Sequence, residues 1–96
     1  MILWVMYDIQ NDRSRTKISK LCKKAGLYRV QYSVFLGRIE NNEIDELQLA
    51  ISEYIDEDID KVYLFPMSKK ELKDTIQLGQ AFDKKLINDE IMALFF

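Results

Sequence analysis

The chain has 96 residues, 48% of them hydrophobic and 11% aromatic, with three glycines and one proline, a make-up that suits one compact core and excludes a disordered or repetitive chain. Histidine is absent and cysteine occurs once, so His-based triads, His/Cys zinc sites and an internal disulfide are excluded. The net charge of −2 hides a division: residues 1–38 hold eight Lys and Arg against Asp8 and Asp12 (+6), residues 39–60 hold nine acids and no base (−9), and the remainder carries +1.

The apolar run Ile2 to Tyr7 has the length and content of a buried strand, which leaves Asp8 at the rim of a sheet. Asn11, Asp12 and Ser14 carry helix-start chemistry, and a helix from about Ser14 to Ala25 follows. Its apolar positions Ile18, Leu21, Cys22 and Ala25 share one face, Arg13, Lys17, Lys20, Lys23 and Lys24 lie towards solvent, and Gly26 is a natural stop. Cys22 at that spacing reads as core rather than as a reactive thiol. Tyr28 to Ile39 alternates and is extended, either as one long strand or as two short ones joined near Gln31 to Ser33.

Asn42 is the expected cap of a second helix from about Glu43 to Tyr54, with Ile44, Leu47, Ile51 and Tyr54 or Ile55 as its buried stripe. A charged loop, Asp56 to Asp60, leads to a strand from Lys61 to Phe65 that Pro66 is expected to stop. The tail, 67–96, holds the polar stretch SKKELKD, a possible short strand from Thr75 to Leu78, and a closing IMALFF whose Phe95 and Phe96 suit burial in a partner chain. The order of elements predicts an α+β, ferredoxin-like βαββαβ sandwich, as one domain over 1–96 with 67–96 as a dimerisation extension. No apolar run approaches the roughly 20 residues of a membrane span and no signal-peptide pattern opens the chain, so a cytoplasmic protein without a membrane partner is expected.

The chemistry left to the chain is carboxylate, cations and hydroxyls. It lacks a Walker loop, a GxGxxG turn and a cysteine pair, so nucleotide hydrolysis and redox chemistry are without their usual parts. The remaining inventory fits Mg²⁺-assisted phosphodiester cleavage, with oxygen ligands only. A single Asp8 is a poor metal site, whereas a two-fold dimer facing two copies of it makes a plausible clamp. The other reading of Asp8 is a local cap on the following turn. The charge division likewise reads either as a basic surface for a polyanion or as two amphipathic helices with solvent faces of opposite sign.

Tyr7-Asp8-Ile9, the basic run Arg13 to Lys17, the stretch RVQYSVFLGRI from Arg29 to Ile39 and the later YLFPMS together resemble the CRISPR-associated protein 2 family, over roughly residues 1–67. The resemblance implies a ferredoxin-like homodimer in which each C-terminal strand adds to the partner's sheet. It also implies a CRISPR-associated, metal-dependent endonuclease acting on RNA or double-stranded DNA in spacer acquisition and defence, with Mg²⁺ or Mn²⁺ as cofactor. Carried onto this sequence, it makes Asp8 and Tyr7 the catalytic strand-end pair, with Asp8 the metal ligand. Nucleic acid would then be bound by Arg13, Arg15, Lys17 and Arg29, with Phe35 as an aromatic beside the site. Lys17 stands where the pattern can have Arg, which keeps the charge and loses the bidentate fork. A second reading is a non-catalytic adaptor that holds duplex DNA and bridges the CRISPR-associated integrase subunit. A third is a ferredoxin-like ligand sensor or toxin-type domain, which would need no basic surface.

Overall fold

A computed structural model describes residues 1–79. The chain order is β1 (Ile2–Asp8), α1 (Asp12–Lys24), β2 (Tyr28–Gln31), β3 (Val34–Arg38), α2 (Asn41–Ser52), β4 (Lys61–Met67) and α3 (Lys69–Asp74). The sheet runs β2-β3-β1-β4, with every neighbouring pair antiparallel. The extended segment is therefore two strands, joined by a two-residue turn at Tyr32 and Ser33. Ser33 sits there at φ 63°, and its carbonyl accepts from the Tyr7 N–H at 3.1 Å.

Side-chain alternation along β1 builds two cores. Leu3, Val5 and Tyr7 join Ile9, Ile18, Cys22, Leu27, Phe35, Ile39, Leu47 and Ile51 between the sheet and the helices. On the opposite face Ile2 and Trp4 pack with Leu36 and Leu72, with Met6, Tyr28, Val30, Val34 and Met67 partly covered. The Trp4 indole Nε1–H donates to Met67 Sδ at 2.9 Å on that face.

Helix α1 begins with Asn11, whose side chain accepts from the Ser14 N–H at 2.9 Å. It ends at Gly26, which takes φ 90° so that its N–H reaches Lys23 and the Leu27 N–H reaches Cys22, a Schellman closure that only glycine enters without a Cβ penalty. Three expectations are corrected. Helix α2 is capped by Glu40, not Asn42, through a reciprocal pairing with Glu43. Pro66 lies inside β4 rather than ending it, as an edge strand permits. The stretch SKKELKD forms a helix under a Ser68–Glu71 capping box, with Leu72 buried on the chain's own sheet. Thr75 to Leu78 form no strand in this chain, and IMALFF with Phe95 and Phe96 lies outside the described residues. Among the described residues no helix is long and apolar enough to cross a membrane.

Candidate functional site

Tyr7 and Asp8 are neighbours in sequence and diverge in space, because successive side chains of a strand leave opposite faces. Tyr7 is buried on the helix side, stacked on the fully buried Phe35 with ring centroids 6.4 Å apart. Asp8 is exposed and follows Ile2, Trp4 and Met6 on the other face. The antiparallel register sets Lys61 directly across from it, so a lysine and a carboxylate share this end of the sheet. Sequence reasoning missed Lys61; its signal is that β4, antiparallel to β1, must begin where β1 ends.

On the helix side, one groove of about 450 Å³ collects the cations and hydroxyls. Asp12, Arg15, Thr16 and Ser19 line it at spacings of i, i+3, i+4 and i+7 on α1, facing Tyr7, Arg29, Tyr32 and Ser33. The Arg29 guanidinium lies 5.2 Å from the Phe35 ring centroid and donates to Ser19 Oγ at 2.7 Å. Burial pushes the Tyr7 hydroxyl above its ordinary pKa, opposed by a hydrogen bond from Arg29, so Tyr7 is a neutral phenol at physiological pH. Arg15 is half-buried, ion-paired to Asp12, and donates through Nη1 to the Ile9 carbonyl at 3.2 Å.

The expected site residues therefore divide three ways. Tyr7, Arg15 and Arg29 meet at the groove, whereas Phe35 does not line it and lies fully buried against Tyr7 and Arg29, which confines it to holding those two side chains. Arg13 and Lys17 are exposed on another stripe of α1, at i and i+4, together with Lys20 and Lys24. Asp8 stands apart from both groups. Thr16, Ser19 and Tyr32 went unnoticed in the sequence, although the helical stripe containing Arg15 points to the first two.

As to metal binding, among the described residues no three acidic or thiol side chains cluster. Asp8 is an exposed carboxylate, a hard oxygen ligand of the kind that suits Mg²⁺ or Mn²⁺.

A ferredoxin-like sheet with an acid at one strand end, a lysine opposite and a guanidinium-lined groove behind defines a small α+β protein equipped for phosphates. A family model described as CRISPR associated protein Cas2 matches residues 1–75, and the chain belongs to that family. The CRISPR-associated endoribonuclease Cas2 1 of Archaeoglobus fulgidus is 36% identical over 70 residues, which span 73% of this chain and 74% of the relative. The CRISPR-associated endoribonuclease Cas2 of Korarchaeum cryptofilum is 30% identical over 76 residues, 79% of this chain and 82% of the relative. The crystal structure of Streptococcus pyogenes Cas2 at pH 6.5 superposes with a TM-score of 0.71 at 26% identity, covering 82% of this chain and 100% of that one. A hypothetical protein from Thermus thermophilus superposes at 0.69 and 28% identity, covering 81% and 89% of the two chains.

Proposed function

We propose that this protein is a CRISPR-associated, Mg²⁺-dependent endonuclease that works in the cytoplasm as a homodimer and cleaves phosphodiester bonds of RNA or double-stranded DNA through paired Asp8 carboxylates. The observation that carries the reading is the placement of Asp8 at the rim of the apolar sheet face, which among the described residues α3 covers only in part. Packing two such faces about a two-fold axis buries them and brings two copies of Asp8 to one interface. The activity for which the relatives are named, endoribonuclease, supports the same reading.

Each chain's own contribution is electrostatic and positional. Asp8 would hold the metal, which when bound supplies Lewis-acid activation of phosphate and water. Lys61 stands across the strands from Asp8, where its ammonium attracts the phosphate that the carboxylates alone would repel. The strand end fixes the carboxylate on rigid backbone, so little reorganisation accompanies reaction.

The exposed cationic stripe Arg13, Lys17, Lys20 and Lys24 favours a second reading, an adaptor that holds duplex DNA for the CRISPR-associated integrase subunit during spacer acquisition. One comparison separates the two. Asp8→Asn keeps size and removes charge, so an endonuclease loses metal-dependent cleavage by about three orders of magnitude or more while its fold and duplex affinity persist. Cleavage unchanged in the purified variant rejects the paired-carboxylate mechanism and leaves the adaptor as the better account.

A further inference from the structure

With Asp8 taken as the metal-holding carboxylate of the endonuclease reading, on which this step rests, we propose that Asp60 is the positioning residue of the site. One oxygen of its carboxylate holds the backbone directly after Asp8, and the other holds the loop directly before Lys61.

The contacts meet at one peptide unit. Asp8 and Lys61 form the last pair in the register of β1 with β4, so the chain leaving Asp8 passes beyond the ladder. The Ile9–Gln10 peptide that follows is gripped at both ends instead. Its carbonyl accepts from Arg15 Nη1 at 3.2 Å, and its N–H donates to Asp60 Oδ1 at 3.3 Å. A guanidinium and a carboxylate thus oppose each other across a single peptide, and hydrogen bonds to charged groups are the stronger kind. Arg15 is also ion-paired to Asp12, which ties the same peptide to the first turn of α1.

The Asp60 carboxylate is aimed from a loop that is itself fixed. Its Oδ2 accepts from the Asp56 N–H at 2.8 Å, its own N–H donates to the Asp56 carbonyl at 2.8 Å, and Asp56 Oδ1 accepts from the Asp58 N–H at 3.0 Å. A residue that only closed its own turn would need no more than these bonds, whereas Oδ1 reaches a residue 50 positions away in sequence. Asp60 lines a cleft with Asn11 and Ser14 at the start of α1, and it continues the alternation of Val62, which packs on the helix-side core. Asp8 and Lys61 leave the other face of the sheet, so Asp60 acts on them through backbone alone. A strand end beyond its last rung frays, while a reacting group must be held within about 0.5 Å of its productive place. The Asp60 side chain supplies the rung that the backbone ladder lacks there.

The test compares the full-length parent with Asp60→Ala, Asp60→Asn and Asp8→Asn in cleavage of a labelled RNA over a Mg²⁺ series, in amide hydrogen exchange at Gln10, and in the loss of the Ile9 and Lys61 amide signals on titration with Mn²⁺. Asp60→Ala should exchange Gln10 about tenfold faster and cleave with kcat lower by about tenfold or more, at unchanged KM for RNA. It should also need more Mn²⁺ for the same signal loss, with its melting midpoint close to the parent's. Asp60→Asn, which keeps one acceptor and drops the charge, should fall between parent and Asp60→Ala in all three measurements. Equal Gln10 exchange in parent and Asp60→Ala overturns the clamp. Parent-like kcat and Mn²⁺ response in Asp60→Ala overturn the positioning role, and losses in Asp60→Asn as large as those in Asp60→Ala overturn it in favour of plain charge. A parent without Mn²⁺ response at Ile9 and Lys61 overturns Asp8 as the group being positioned. Cleavage by Asp8→Asn at the parent rate sinks the endonuclease reading alone, and the Gln10 exchange and Mn²⁺ response then still decide Asp60, so the two failures are distinguishable.

Discussion

Cys22 shows how a single side chain beneath a cationic site acquires a pH signature. Its thiol is fully buried on the core face of α1, and burial pushes it from 9.0 up to about 12, only partly offset by the positive charge of Arg29. A pKa raised on folding means that the neutral thiol's stabilising contribution is complete below the unfolded value and is lost as pH rises through the folded one. Stability measured by urea melts should therefore be level up to about pH 9 and decline between 9 and about 12, with Tyr7, also raised, adding to the same alkaline loss. Cys22→Ala should flatten part of that decline at some cost in packing. A Cys22→Ala curve parallel to the parent's would assign the loss to other groups. The same burial makes alkylation of Cys22 at pH 8 far slower than that of an unfolded thiol.

At the level of elements, the joints of α1 and β3 explain where glycine is required. At Gly26 the chain leaves α1 with positive φ, and at Gly37 an added Cβ would sit 3.1 Å from Leu27 Cδ2 and 3.2 Å from Leu27 Cα, the residue that seals the helix end. Gly26→Ala should cost about 1–2 kcal/mol through backbone strain alone. Gly37→Ala should cost about 1–3 kcal/mol through overpacking, because backbone at Leu27 cannot yield as a flexible side chain can. Thermal melts of the two variants check this, and an unshifted Gly37→Ala melt would mean that the β2 entry is looser than its contacts indicate. These joints also show what local sequence can signal. The periodicity of α1 and the Gly26 stop were readable because helix, cap and stop agree. Pro66 was misread because proline is costly only where its missing N–H had a strand to bond, and among the described residues β4 pairs with β1 alone. Helix α3, six residues long, is too short for apolar periodicity to show, and only its Ser68–Glu71 box announces it. Asn42 lost the cap to Glu40 because the chain turned two residues earlier, where Glu43 could reciprocate. For the candidate site, residue types were legible from the strand-end acid and the basic run, whereas their division between two sheet faces followed from strand alternation and the register with β4.

For the whole molecule, the apolar second face connects fold to activity. Tyr63 and Phe65 stack there with centroids 5.9 Å apart while remaining 54% and 46% exposed, beside Met6 and Trp4 in the register. Among the described residues helix α3 covers only part of the sheet and β4 is paired on one side alone, so a second copy is the occupant that the two-fold reading of Asp8 requires. Tyr63→Asp combined with Phe65→Lys should shift sedimentation from dimer to monomer and abolish metal-dependent cleavage although Asp8 is intact. A monomeric variant that still cleaves would show that one carboxylate suffices. Subunit mixing gives the stricter count. Equal amounts of parent and Asp8→Asn chains, unfolded and refolded together, pair at random, so about one quarter of the dimers carry both acids and about one half carry one. If cleavage needs the pair, activity per chain falls to about one quarter of the parent's, and if each Asp8 works alone it falls only to about one half. The lower value identifies a site assembled by two chains, and the higher value returns the chemistry to a single rim with Lys61 as its partner.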